Sequence, residues 1–228
     1  FLDDVSIKTN GLTNNNSVTA VSGVRGTAAD LVAASSMSLT DADHADYTFT
    51  TAFSMGAWIY RDIDSGTSEG VFGKYALSGT ESTFLFQITG ADASQFITQN
   101  ASDSLSASAG PTVALGQWYF WTGTYDGATQ RFYINGVEVD SDAQTGNLKD
   151  STESVGIGAR VHGGTPSLFF DGKIDEAFLT AEVLSPTQIK HMYETGKRSL
   201  ERKSLAAVTN ATTVGNDRIG DTTSLLLE

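Results

Sequence analysis

The sequence predicts an all-β fold, a sandwich or barrel of antiparallel strands. Short segments rich in aromatic and β-branched residues follow one another at close spacing, with no helical segment between them. Clusters of Gly, Asn, Asp and Ser separate these segments, as expected of turns. The predicted strands are 49–60, 70–76, 82–88, 95–99, 118–125, 131–139, 155–159 and 168–179.

The residues before the first of these strands are polar and small. Their pattern is compatible with an arm, a linker or edge strands, and the residues alone leave these three alternatives open. We assign residues 1–36 to an N-terminal arm or linker.

The central predicted strands form hairpins. Asn135-Gly136 separates two apolar segments, and this dipeptide favours a two-residue turn because both residues tolerate positive φ. Residues 118–125 carry aromatic side chains at consecutive positions, so both faces of this strand are apolar. The pattern predicts a central strand that is covered on both sides.

One helix is predicted near the C-terminus. Ser185 and Gln188 have the spacing of a capping box, and Pro186 occupies the first helical position. Gly196 is expected to end the helix, which would therefore be short. Residues 198–228 are interpreted as a tail leading to a further region of a longer protein.

Composition excludes several classes of function. The 228 residues include 14 Lys and Arg against 27 Asp and Glu, a formal charge of −13. This charge argues against a nucleic-acid partner, because affinity for phosphate backbones comes mainly from basic residues. The chain has no cysteine, which excludes disulfides and thiolate chemistry. No apolar run approaches the roughly 18 residues of a membrane span, so no membrane insertion is expected.

Four motifs occur in a fixed order along the chain. They are FSMGAWI at 53–59, QW followed by GTYDG at 117–127, FYING at 132–136, and FDGKIDEA at 170–177 followed by Leu184-Ser185. Together they resemble the laminin-G-like (concanavalin A-like) domain in its bacterial and phage form. The resemblance implies a jelly-roll β-sandwich of two antiparallel sheets with one short C-terminal helix, over residues 37–197.

The resemblance implies a non-catalytic binding or adhesion module, with glycans or cell-surface polysaccharide as partners. An extracellular or virion-surface protein, such as a phage tail fibre or capsid-surface component, is the expected context. A purely structural domain that assembles with other copies or neighbouring subunits is the alternative. A glycoside hydrolase is a less favoured alternative. Asp175 and Glu176 are adjacent, so on a strand they face opposite sides and cannot act together as a catalytic pair.

Calcium is the expected cofactor. Acidic loops suit a hard cation, and the resemblance implies that Asp175 on a late strand holds Ca²⁺ with carbonyl groups of an early loop. The alternative is that Asp175 only accepts backbone N–H groups and fixes a turn. The acidic segments 41–46 and 62–69 lack the spacing of a calcium loop and are interpreted as solvated loops.

Three residues are candidates for ligand binding. Arg160 and His162 lie in a basic, Gly-rich loop of an acidic protein, and Tyr125 lies at a strand end where its ring could be exposed. Sugars stack on exposed aromatic rings. The three tryptophans, Trp58, Trp118 and Trp121, lie inside strand patterns and are predicted to pack in the core.

Overall fold

The computed structural model describes residues 12–32, 34–39, 50–76 and 82–215. The described residues form strands and one helix, which confirms the all-β prediction. In chain order the elements are β1 (Thr13–Asn15), β2 (Thr19–Ser22), β3 (Thr27–Leu31), β4 (Ser36–Leu39), β5 (Phe53–Arg61), β6 (Glu69–Lys74), β7 (Phe84–Ile88), β8 (Ala93–Gln99), β9 (Leu105–Thr112), β10 (Trp118–Tyr125), β11 (Thr129–Ile134), β12 (Val137–Ala143), β13 (Val155–Ile157), β14 (Arg160–His162), β15 (Thr165–Ser167), β16 (Gly172–Thr180) and α1 (Pro186–Gly215).

Two antiparallel sheets of seven strands make up the sandwich. The first sheet has the strand order β1-β4-β13-β6-β7-β8-β9, and the second sheet has the order β12-β11-β10-β5-β16-β3-β2. Strands β14 and β15 form a separate small hairpin. The predicted jelly-roll sandwich is therefore confirmed.

Aromatic rings fill the space between the two sheets. Phe86 of the first sheet meets Trp121 and Phe132 of the second with ring centroids 5.6 and 5.7 Å apart. Neighbouring residues of β10 point in opposite directions, so Phe120 joins a second apolar cluster with Trp58, Tyr133 and helix α1. Strand β10 is covered on both faces, as its consecutive aromatic residues predicted.

The Asn-Gly turn joins β11 to β12 as predicted. Asn135 and Gly136 have φ of 53° and 78°, and Ile134 pairs directly with Val137. The Asn135 side chain also accepts a hydrogen bond of 2.9 Å from the backbone N–H of Phe120. The turn is therefore fixed both by its own geometry and by the adjacent strand.

The proposed N-terminal arm contains strands of the sandwich, which corrects the boundary at residue 36. Strand β1 pairs with β4 at the edge of the first sheet, and β2 and β3 extend the second sheet beyond β16. Among the three alternatives of arm, linker and edge strands, the described residues 12–32 therefore support strands at the edges of the sheets. These strands are short and consist mainly of small or polar residues, so apolar periodicity did not distinguish them from a linker.

The capping box at the start of α1 is confirmed. The N–H of Ser185 donates to Oε1 of Gln188 over 2.9 Å, and the N–H of Gln188 donates back to the Ser185 hydroxyl over 3.3 Å. This reciprocal pair satisfies two amide groups at the start of the helix that have no intrahelical acceptor.

The prediction that α1 is short and ends at Gly196 is wrong. The helix continues to Gly215. A Cβ atom at residue 196 would overlap the indole ring of Trp58, so this glycine permits close packing of helix on sheet. Beyond it, Ser199 donates to the carbonyl of Val24 over 2.7 Å, and Lys203 donates to the carbonyl of Gly23. The start of the predicted C-terminal tail is thus helical and packs on the sandwich.

The described helix does not qualify as a membrane span, because it lacks a sufficiently long apolar stretch.

Candidate functional site

The outer face of the first sheet carries two paired glutamines. Gln87 on β7 lies directly opposite Gln95 on β8, and the pair before them, Phe86 and Phe96, points into the core. Because successive side chains of a strand point to opposite faces, both amides project away from the core. Nε2 of Gln87 donates to Oε1 of Gln95 over 2.6 Å.

Arg160 of β14 reaches this glutamine pair. Its guanidinium group donates to Oε1 of Gln87 and lies 5.1 Å from the ring centroid of Tyr75. The β14 backbone comes this close to the sheet because residue 70 is glycine: a Cβ there would lie 2.7 Å from the backbone nitrogen of Arg160. Sheet, hairpin and aromatic ring together fix the guanidinium group.

Burial dominates the electrostatics of Arg160. Removal from water lowers the pKa of its guanidinium group, and the electrostatic interaction with Tyr75 partly opposes this shift. Among the described residues, Nε of Arg160 is buried and has no hydrogen-bond partner. An arginine held in this way has donors that are neither solvated nor fully used.

His162 lies two residues further along β14 and therefore on the same face of the strand as Arg160. Its Nδ1 lies 2.8 Å from Oε1 of Glu153, and the other carboxylate oxygen accepts the N–H of Gly163 over 2.8 Å. The His162 side chain is 42% exposed and Glu153 is buried. We call the group Tyr75, Gln87, Gln95, Glu153, Arg160 and His162 the Arg160 site.

Tyr125 does not belong to this site, which corrects the prediction of an exposed ring. Its side chain is fully buried in the core, and its ring centroid lies 6.4 Å from that of Phe53. Its hydroxyl donates to the carbonyl of Gly146. Tyr125 ends its strand with the ring pointing inward, so a ligand on the surface cannot stack on it.

Asp175 is buried at the β16 bulge. Its Oδ2 accepts the N–H of Arg25 over 3.0 Å, and its Oδ1 accepts the N–H of Glu176 over 2.9 Å. These are the bonds expected if the carboxylate fixes a turn. Glu176 is exposed, in agreement with the prediction that the two carboxylates face opposite sides.

The surroundings of Asp175 offer few free ligands for a cation. The carbonyl groups of Gly23 and Gly26, in the turn beside Asp175, both accept the ammonium group of Lys203. Within the described part of the chain, no three His, Asp or Glu side chains form a group able to hold a metal ion. The arrangement does not fit a ready-made calcium site, and calcium at Asp175 stays a prediction.

The acidic loop after β5 is only partly solvated. Asp62 and Asp64 are exposed, but Glu69 is fully buried in an ion pair with Arg61, so the prediction of a solvated loop is wrong for Glu69. A hydrogen bond from the Gly66 amide and the charge of Arg61 hold the pKa of Asp64 below its usual value, against an opposing effect of desolvation. Residues 41–46, the other acidic segment, lie outside the described residues.

Sequence reasoning identified Arg160 and His162 but missed Gln87, Gln95 and Glu153. The available signal was the polar Gln87 inside the otherwise apolar strand FLFQI. A polar residue in such a strand marks either a buried hydrogen bond or a functional face. The pairing of β7 with β8 was needed to place Gln95 beside it.

Comparison with known proteins agrees with this architecture. The family model of the concanavalin A-like lectin/glucanases superfamily matches residues 33–190. No curated protein sequence matches the chain.

Solved structures of similar fold include binding domains of toxins and one domain of an arabinanase. The receptor binding domain of botulinum neurotoxin C/D mosaic serotype has a TM-score of 0.67 at 15% identity, over 85% of this chain and 48% of that one. The binding domain of Paraclostridial Mosquitocidal Protein 1 gives 0.67 at 14% identity, over 85% and 49%. Domain 4 of AbnA, a GH43 extracellular arabinanase from Geobacillus stearothermophilus, in complex with arabinotriose, gives 0.65 at 19% identity, over 84% and 92%.

These identities establish likeness of fold alone. The chain spans about half the length of the two toxin domains.

Proposed function

Because this chain belongs to the concanavalin A-like lectin/glucanases superfamily, we propose that it is a non-catalytic module that binds glycans at the Arg160 site. The observation that carries the proposal is the convergence of Arg160, Gln87 and Gln95 on the outer face of the first sheet. The corresponding face of the second sheet is covered by α1. Convergent polar groups beside an aromatic ring are typical of small-molecule sites.

The arabinanase domain supports a saccharide ligand in particular. Its structure was solved with arabinotriose, and its fold matches most of both chains. Sugars present hydroxyl groups that both donate and accept hydrogen bonds, which side-chain amides such as those of Gln87 and Gln95 can satisfy.

Glycan binding is tested by screening the protein on a glycan array and measuring affinities by calorimetry. Gln95→Ala should weaken binding about two- to tenfold, because it removes one neutral hydrogen bond. Gln117→Ala, at an exposed position before β10, is the matched control and should bind as the wild type does. Equal affinities of the wild type, Gln95→Ala and Gln117→Ala would show that the glycan does not bind at Gln95.

The environment of Glu153 argues against hydrolysis of a bound glycan. Both oxygens of this carboxylate are engaged, one with His162 and one with the Gly163 amide. Glycoside cleavage uses two carboxylates on opposite sides of the scissile bond. Release of reducing ends from a bound glycan, lost in Glu153→Gln, would favour a glycosidase instead.

The proposed setting is an extracellular or virion-surface protein, such as a phage tail fibre, in which this module is one domain. Support comes from the fold, shared with toxin binding domains and with a domain of an extracellular enzyme. The structural alternative is assembly with other copies or neighbouring subunits. It predicts stable oligomers without glycan affinity, which light scattering and the array together would detect.

Calcium binding at Asp175 is a separate proposal with its own test. A bound ion stabilises the native state, by about 2.7 kcal/mol at a hundredfold excess over Kd. It therefore predicts a melting temperature several degrees higher in Ca²⁺ than in EGTA, and loss of this difference in Asp175→Asn. Identical melting of the wild type in both buffers would leave Asp175 as a turn-fixing residue.

A further inference from the structure

We infer that the Arg160 site selects acidic glycans, with Arg160 binding the carboxylate of a uronic acid residue. This inference rests on the proposed glycan-binding function and specifies its ligand class. The observation behind it is a guanidinium group on the outer face of the first sheet whose charge no described carboxylate neutralises.

The hydrogen bonds within the site leave donors free. Arg160 donates to the carbonyl oxygen of Gln87, and the amide nitrogen of Gln87 donates to the carbonyl oxygen of Gln95. Each amide oxygen therefore already accepts one hydrogen bond. Within the site, Nη1 and Nε of Arg160 and the amide nitrogen of Gln95 donate to no described group, and of these Nε is buried. A ligand rich in acceptors therefore suits this surface.

Unlike other arginines that pack on the sandwich, Arg160 contacts no described carboxylate. Arg61 contacts Glu69, Asp64 and Asp92, whereas Arg131 contacts Asp126. Arg25 lies 3.6 Å from Glu176. Arg160 instead contacts a neutral amide and an aromatic ring, although the chain carries 27 acidic residues.

Glu153 does not compensate Arg160, although it belongs to the same site. Its Oε1 lies 2.8 Å from His162, and its Oε2 accepts the Gly163 amide. Burial of a cation is unfavourable unless an anion or hydrogen bonds replace its solvation. Burial also lowers the pKa of the Arg160 guanidinium, in agreement with the lack of a described carboxylate beside it.

A carboxylate suits this environment better than a neutral hydroxyl group. It offers two oxygens that only accept hydrogen bonds, which matches the planar fork of a guanidinium group. Hydrogen bonds to charged groups are also stronger than neutral ones. The adjacent glutamine amide then remains for the hydroxyl groups of the sugar.

The test compares ligand pairs that differ only in the carboxylate. Trigalacturonate and its methyl ester form one pair, and trimannuronate and mannotriose form another; acetate serves as the bare anion. We expect the acid of at least one pair to bind about tenfold or more tightly than its neutral partner. The preference should disappear in Arg160→Met and should shrink as salt concentration rises.

A second variant guards against a loss of folding in Arg160→Met. Gln95→Glu is nearly isosteric and places a negative charge beside the site, so it should weaken binding of the acid more strongly than binding of the neutral sugar, which loses only the hydrogen bond of the Gln95 amide. Thermal unfolding of each variant checks the fold. Arg160→Lys keeps the charge but loses the fork, and should keep only part of the preference.

Each outcome supports or overturns the inference. Equal or tighter binding of the neutral partner overturns acid selection while glycan binding stands. An acid preference that survives in both Arg160→Met and Gln95→Glu places the carboxylate elsewhere and also overturns it. If acetate binds as strongly as the trisaccharide, the site recognises a small anion and not an acidic glycan, which overturns the inference. Absence of binding to any glycan overturns the proposed function together with the inference.

Discussion

Replacement of Arg61 by alanine is expected to destabilise the protein by about 3–5 kcal/mol. The Arg61 side chain is 1% exposed and its partner Glu69 is fully buried. Nη2 of Arg61 lies 2.7 Å from Oε1 of Glu69, and Nε donates to Oε2 over 3.2 Å. Removal of the guanidinium group leaves the carboxylate buried without its cation, and this accounts for most of the loss.

The pKa of Arg61 agrees with strong pairing. Burial by itself lowers the pKa of the guanidinium group, but the hydrogen bonds that this group donates to Glu69 and Asp92 outweigh it, and the pKa is raised. The network also joins three parts of the fold, because Arg61 ends β5, Glu69 starts β6 and Asp92 precedes β8. Chemical denaturation at neutral pH measures the expected loss.

Two further variants test whether the loss of stability comes from burial of the Arg61–Glu69 pair. Arg131 and Asp126 are each one-third exposed, so Arg131→Ala should lose only about 0–1 kcal/mol. Arg61→Met combined with Glu69→Leu removes both charges and should recover part of the loss. A loss in Arg61→Ala no greater than that in Arg131→Ala would show that the Arg61–Glu69 pair contributes little.

The strands that sequence reasoning found are those with strong local patterns. Consecutive aromatic residues identified β10, and Asn135-Gly136 identified the turn to β12 because its positive φ values favour these residues. Strand β9 was missed because LSASAGPT has five consecutive small residues, with no apolar alternation, and a proline near its end. It is an edge strand, where proline is tolerated and burial is incomplete.

Gly196 shows why a local rule failed. Glycine after an amphipathic segment often ends a helix, but here it lies in the interior of α1 against Trp58. The two roles are indistinguishable in the sequence, because the partner that requires a small residue is 138 positions away (196 − 58). Tertiary packing therefore decides the length of this helix.

The Arg160 site could be predicted only in part for the same reason. A basic pair in a Gly-rich segment of an acidic chain was visible locally, and it led to Arg160 and His162. The pairing of Gln87 with Gln95 depends on strand register, which one sequence does not specify beyond the turn that joins them. The prediction of an exposed Tyr125 ring was wrong, because a position at the end of a strand does not reveal which way the ring points.

Trp58→Ala is the second substitution with a large expected effect, a loss of about 3–5 kcal/mol from the cavity that it leaves. Trp58 is 3% exposed and lies at the centre of the contact between α1 and the second sheet. Its ring centroid lies 5.2 Å from that of Phe120 and 5.7 Å from that of Tyr193. Gly196 packs on the same ring, so the loss removes the main support of the helix.

The helix should therefore loosen in Trp58→Ala before the sandwich unfolds. Helical circular dichroism should fall at a lower temperature than the near-ultraviolet signal of the core, and proteases should cut within α1 first. Trp118→Ala is the control, because this ring lies at the edge of the same cluster, is only half-buried and contacts Tyr60 at 5.4 Å. It should lose less stability and keep a single transition. A single cooperative transition in both variants would mean that α1 is part of the folding unit of the sandwich, and not a helix docked on it.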